Sequence, residues 1–104
     1  MCTMISQTEI DNIQFRLKAL RYLTEDVNES AVVQSLMFLE ENRDILIKPI
    51  ASLSPEGNVL FKFRNERGYE VVEFDGTDQV RCLSVEGVKR SVCRKKIVGG
   101  MIVG

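Results

Sequence analysis

The side chains best suited to covalent or metal chemistry are three cysteines, Cys2, Cys82 and Cys93, and the chain has no histidine to work with them. Without imidazole no side chain titrates unaided between about pH 5 and 8, and the commonest transition-metal ligand is missing. Ser-His-Asp and Cys-His activation of a nucleophile cannot be assembled from this chain alone. Zinc sites that use histidine are excluded too. The scattered thiols, with no Cys-x-x-Cys pair, fall one short of an all-cysteine tetrahedral site.

Arg94, Lys95 and Lys96 follow Cys93, and nearby positive charge lowers a thiol's pKa. That setting is compatible with a reactive thiol or with a small packing residue. If Glu86-Gly87 is a two-residue hairpin turn, position 82 faces 91 and position 93 faces 80. The two thiols are then diagonal neighbours with backbones roughly 7–8 Å apart, near or beyond the reach of an unstrained disulfide. Both are expected to pack rather than pair.

The other candidate motifs reduce to turns and surface charge. Asp75-Gly76-Thr77 exchanges the last two letters of an aspartic-protease Asp-Thr-Gly, and a tight turn accounts for it. No Cys-x5-Arg loop exists, because Val88 and Gly99 stand at the sixth position after Cys82 and Cys93. Gly99, Gly100 and Gly104 match neither a dinucleotide fingerprint nor a phosphate loop. Glu70 with Glu73, and Glu40 with Asp44, carry no diagnostic spacing. No catalytic, cofactor-binding or metal-binding residue is nominated, and the expected protein is not an enzyme.

At 104 residues, 44% of them hydrophobic and 28% charged, the chain suits one globular domain. No apolar run reaches the roughly 18 residues of a membrane span. The odd cysteine count, and an N-terminus without the basic and apolar regions of a signal peptide, predict free thiols in a reducing cytoplasm.

Net charge is −1, yet its sign is segregated. Residues 22–44 hold Glu25, Asp26, Glu29, Glu40, Glu41 and Asp44 against Arg43 alone. Residues 88–98 hold Lys89, Arg90, Arg94, Lys95 and Lys96 and no acid. The basic stretch could face a phosphate backbone or an acidic protein surface, guard a sheet edge, or pair with the acidic helix. Glu40, Glu41 and Asp44 lie near a helix C-terminus, where the macrodipole disfavours negative charge. With the off-face Phe38 they join the basic residues as candidate partner contacts.

These residues are positioned by helices first and strands afterwards. Ser6-Gln7-Thr8-Glu9 reads as a capping box, followed by Ile10, Ile13, Leu17 and Leu20 at helical spacing. Phe15, Ala19 and Tyr22 form a second stripe on the opposite side, a candidate homodimer contact. A second capping box at Asp26-Val27-Asn28-Glu29 opens a helix with Val32, Val33, Leu36, Met37 and Leu39 on its apolar face. Pro49 makes residues 45–53 an extended connector. Ser54-Pro55-Glu56-Gly57 reads as a β-turn, and the period then changes to two. The loop Asn65–Gly68 is expected to need its glycine in a left-handed conformation, and Asp75-Gly76 marks a second tight turn. The expected fold is α+β: helices over about 6–24 and 27–43 packed on a four-stranded antiparallel meander of about 58–64, 69–74, 79–85 and 88–98. The apolar tail Ile97–Gly104 either continues the last strand, docks on its own domain, or adds to a partner.

Pro49 and the run Ser54-Pro55-Glu56-Gly57-Asn58-Val59-Leu60-Phe61-Lys62-Phe63-Arg64-Asn65 resemble a hairpin opening of small bacterial and phage accessory proteins. In that pattern a Pro-Asp/Glu-Gly turn leads into an alternating strand ending in Trp-Arg-Asn, and Phe63 stands where the tryptophan would be. The likeness covers about residues 49–76 and implies a prokaryotic or viral setting among mobile-element genes, with no shared activity. With the exclusions above, it gives the expected function: a non-enzymatic protein-protein interaction module, specifically a phage or mobile-element inhibitor of a host defence complex of the anti-CRISPR kind. Its partner would be a larger protein or ribonucleoprotein complex. The alternative is a small nucleic-acid-binding or antitoxin-type regulator using the basic C-terminal strand.

Overall fold

A capping box begins the first helix as its spacing requires: Glu9 N–H donates to Ser6 Oγ at 3.2 Å, and Glu9 Oε1 accepts from Ser6 N–H at 3.4 Å. The computed structural model describes residues 6–21, 27–43 and 48–103. Helix α1 spans Gln7–Arg21 and buries Ile10, Ile13 and Leu17. Helix α2 spans Glu29–Glu41. Its cap is Asn28, whose Oδ1 accepts from Ala31 N–H at 3.2 Å, while the expected Asp26 lies outside the described residues. The Asn28 amide also donates to Asp75 O at 2.6 Å and Asn58 Oδ1 at 3.1 Å, tying the helix start to two turns of the sheet.

The inward face of α2 is only partly the expected one: Val32, Leu36 and Leu39 pack on the core, but the centre of the face lies elsewhere. Ala31, Ser35, Phe38 and Leu39 are buried, whereas Val33 and Met37 are exposed. Ala31 and Ser35 are small enough to let the helix close on the sheet, and Phe38 follows them on the same face. Phe38 is 5% exposed and packs on Phe74 at 5.3 Å, Phe63 at 6.4 Å and Phe61 at 6.5 Å between ring centroids. It is a core residue, which corrects its reading as a partner contact.

Six strands, not four, form one antiparallel sheet in sequence order: β1 Ile50–Leu53, β2 Val59–Arg64, β3 Gly68–Phe74, β4 Gln79–Glu86, β5 Lys89–Val98 and β6 Met101–Val103. The first extra strand comes from the supposed connector. Pro49 lies just before β1, where no ladder donor is required of it. The second is the tail, folded back on β5 by Gly99 and Gly100, whose φ of +57° and +85° make a type I′ turn. Strand β6 pairs only with Lys96–Val98 of β5, so residues 89–95 stay on an outer edge of the sheet among the described residues, where cations such as Lys89, Arg90, Arg94 and Lys95 also discourage edge pairing.

Ser54–Gly57 forms the expected turn, with Gly57 N–H donating to Ser54 O at 2.9 Å. Gly68 is required for another reason than the one expected. Its φ is not positive; a Cβ there would lie 1.9 Å from Val85 O on the neighbouring strand. Both helices pack on one face of the sheet, around Ala51, Val59, Phe61, Val72, Phe74, Val80 and Ile97.

Candidate functional site

Directly opposed residues of an antiparallel ladder share a face, and successive residues alternate. With Val59, Phe61, Val72, Phe74 and Val80 turned to the helices, the register turns Lys62, Arg64, Glu73, Arg81, Arg90, Arg94 and Lys96 the other way. That face thus carries six cationic side chains against Glu73 alone, and no helix among the described residues packs on it. The helix-bearing face is balanced by comparison, with Glu70 and Glu86 beside Lys89 and Lys95.

The six cations are poorly compensated. Lys62 Nζ sits 4.2 Å over the ring centroid of Tyr69, itself on this face. Among the described residues, the side chains of Arg64, Arg81, Arg90, Arg94 and Lys96 have no hydrogen-bond or ion-pair partner. Arg81 and Arg94 are directly opposed, and like charges in that position repel. Glu73 does not offset them by ion pairing; its Oε2 instead accepts from the Asn58 amide at 3.1 Å. Between the cations an aliphatic row runs in register, Val71, Leu83 and Val92, with Lys62 separating it from Ile50 on β1 and with Val92 56% exposed.

The sequence-nominated cluster is therefore divided by the pleat. Arg90, Arg94 and Lys96 belong to the open face, and Lys89 and Lys95 to the helix side. Lys62, Arg64, Arg81 and Tyr69 were missed, because they come from three other strands. Alternation marks each one only once the register between strands is known.

On the helix side the helices leave part of β3–β5 uncovered. A cleft of about 350 Å³ there is walled by Phe38, Phe63 and Ile102 and floored by Cys82, Cys93, Ser84 and Ser91, with Glu70 and Lys95 also lining it. Cys82 faces Cys93 directly, not Ser91. The turn is Gly87-Val88, since Glu86 pairs with Lys89 and Gly87 has φ +60°. That is the type II′ arrangement, with glycine first. The expected register was out by one turn residue. Burial, followed by the neighbouring Cys93, pushes the Cys82 thiol pKa above its ordinary 9.0, while Lys95 acts in the opposite direction.

The other nominated residues do not converge on a site. Glu40 and Glu41 are exposed near the end of α2, and Glu40 pairs with Arg43 at 3.4 Å; Asp44 lies outside the described residues. Phe15 is 74% exposed and Ala19 is exposed beside it on α1, while Tyr22 again lies outside the described residues. Among the described residues no group of three or more Cys, Asp or Glu is placed to hold a metal ion. No helix among them is long and apolar enough to cross a membrane. No protein-family model matches the chain, and no curated protein or solved structure matches it.

Proposed function

We propose that this is a non-enzymatic protein-protein interaction module whose contact surface is the helix-free face of the sheet. The observation that carries this reading is the set of Lys62, Arg64, Arg81, Arg90, Arg94 and Lys96 facing Glu73 alone, most of their side chains without a partner among the described residues. Such a field attracts an acidic surface and speeds encounter. The aliphatic row gives the contact an apolar centre with a charged rim, the usual anatomy of a protein interface.

The partner is a larger protein or ribonucleoprotein complex presenting acidic side chains around an apolar patch. In its most specific form the protein is a phage or mobile-element inhibitor of a host defence complex, of the anti-CRISPR kind, working in the host cytoplasm. That form rests on the resemblance of the hairpin opening. Direct nucleic-acid binding is the second reading, favoured by the same cations and by Tyr69. Against it stands the aliphatic row, which offers bases no stacking platform.

The test is affinity capture from host lysate with and without nuclease, read by mass spectrometry, with wild type beside an Arg81→Gln, Arg90→Gln, Arg94→Gln, Lys96→Gln variant. One defined complex, retained after nuclease and lost with the variant, is the expected result. Capture that disappears after nuclease moves the assignment to nucleic acid. Equal capture by the variant removes this face from the function.

A further inference from the structure

The register of the β4–β5 hairpin brings two thiols together. Ile97 N–H donates to Asp78 O at 2.8 Å, so that opposed pair is a hydrogen-bonded one. Alternation makes every second pair toward the turn hydrogen-bonded as well, Cys82 with Cys93 among them. Cα atoms in such a pair are about 5.5 Å apart, within the roughly 4.4–6.8 Å that a disulfide bridges. Both side chains project onto the helix-bearing face, and the two cysteines line the cleft floor together. Cys93 is exposed and Cys82 half-buried, so one is open to a reagent and the other waits behind it.

We propose that Cys82 and Cys93 are a reversible dithiol redox site that accepts oxidising equivalents from a low-molecular-weight disulfide such as glutathione disulfide. The exposed Cys93 loses its proton to water and attacks one sulfur of glutathione disulfide. The S–S bond breaks, and one glutathione leaves as a thiolate that takes up a proton. Cys82 then gives up its proton and attacks the Cys93 sulfur of the mixed disulfide, expelling the second glutathione in the same way. In sum two protein thiols are oxidised to one disulfide, one glutathione disulfide is reduced to two thiols, and no proton is gained or lost.

The order follows from exposure. Cys82 is partly buried and held in its thiol form, so it reacts once the mixed disulfide has placed an electrophilic sulfur beside it. Reversibility follows from the ladder. Cβ atoms of a hydrogen-bonded pair lie toward the wide end of about 4.5–5.5 Å, whereas a disulfide favours about 3.5–4.5 Å. Closing the bond draws the strands out of their relaxed spacing, and strained or accessible disulfides are the readily reduced ones. This inference stands apart from the proposed function, because it concerns the opposite face of the sheet and is read by mass.

The experiment incubates the full chain with glutathione disulfide, quenches with N-ethylmaleimide and measures intact and peptide masses. The reduced chain should take up three maleimides, on Cys2, Cys82 and Cys93. The oxidised chain should take up one, weigh about 2 Da less before labelling, and yield a peptide linked through Cys82 and Cys93; dithiothreitol should restore three. Cys82→Ala should leave Cys93 as a stable glutathione mixed disulfide, and Cys93→Ala should leave Cys82 slow to react. Native-state spectra of both variants show whether they fold, and a Cys2→Ser chain should oxidise as wild type does. Wild type that stops at the mixed disulfide, or that links through Cys2, overturns the proposal.

Discussion

The Asn42 side-chain amide donates to Gly100 O at 3.1 Å, holding the β5–β6 turn against the end of α2. The same nitrogen donates to Phe38 O at 2.8 Å. One buried amide thus satisfies the helix end and anchors the last hairpin, leaving no room between them. A Cβ on Gly100 would stand 2.8 Å from Met37 O. Asn42→Ala removes the donor while leaving Gly100 O beside the helix, and a lost buried hydrogen bond costs about 1–3 kcal/mol. The expected outcome is a lower urea midpoint with faster amide exchange in Met101–Val103. Unchanged exchange there would show that the turn holds itself.

Two glycines separate close packing from backbone conformation. At Gly68 the φ is ordinary but a Cβ meets Val85 O, so Gly68→Ala has to push β3 and β4 apart. Overpacking of this kind costs about 1–3 kcal/mol. At Gly87 nothing lies within 4 Å of the added carbon, yet φ is +60°. Gly87→Ala should therefore cost only the left-handed penalty, about 1–2 kcal/mol. Shifts in the backbone amide resonances should reach β3 and β4 for the first variant and stay within the turn for the second. The same pattern for both would mean that β4 accommodates the Cβ at Gly68.

How far the sequence discloses this molecule depends on whether the signal is local. The Ser6–Glu9 cap, the Ile10-Ile13-Leu17 face and the long alternating strands rest on neighbours in sequence, and they stand in the structure within a residue or two at the ends that are described. Phe38 was misplaced because Ala31 and Ser35 carry no hydropathy signal, although they turn the helix's inner face. Strand β1 was hidden behind Pro49, and β6 looked like a tail until the two positive-φ glycines folded it back. The candidate surface was least legible. Its cations come from β2, β4 and β5, and a one-residue error in the Gly87-Val88 turn scrambles which of them are opposed. That error also separated Cys82 from Cys93.

Cys82 gives stability a pH dependence at the alkaline end. Burial and Cys93 raise its pKa in the fold above 9.0, so the native state favours the protonated thiol. The sign follows from linkage: the unfolded chain releases this proton at lower pH. The contribution is therefore fully present below the unfolded pKa and is lost as pH rises through the folded one. Wild type should lose stability relative to Cys82→Ala in denaturant titrations carried upward through pH 9.0. A constant difference between the two would remove Cys82 as the titrating group.

Phe15 exposes a large apolar side chain on α1 facing away from the core, with Ala19 beside it. Pairing of two copies through this stripe predicts a dimer in sedimentation at high protein concentration that Phe15→Ser returns to monomer. A monomer mass independent of concentration would leave Phe15 as a lone exposed side chain, which is common on protein surfaces.

Arg81 and Arg94 should make the free protein less stable than it could be. Their pair lies between the hydrogen-bonded pairs Val80–Lys95 and Cys82–Cys93, so their Cα atoms approach to about 4.5 Å with no anion between them. Like charges directly opposed cost roughly 0.2–1 kcal/mol. Arg94→Gln relieves that repulsion and leaves Glu73 facing Arg81. The variant should unfold at a higher urea midpoint with an unchanged slope, the mark of a stability change alone. Added salt should erase the difference, because exposed charges are screened over about 8–10 Å at moderate ionic strength. The same substitution should weaken capture of the acidic partner. Higher stability joined to weaker binding separates a functional arginine pair from a structural one, since a structural pair would lose stability when broken.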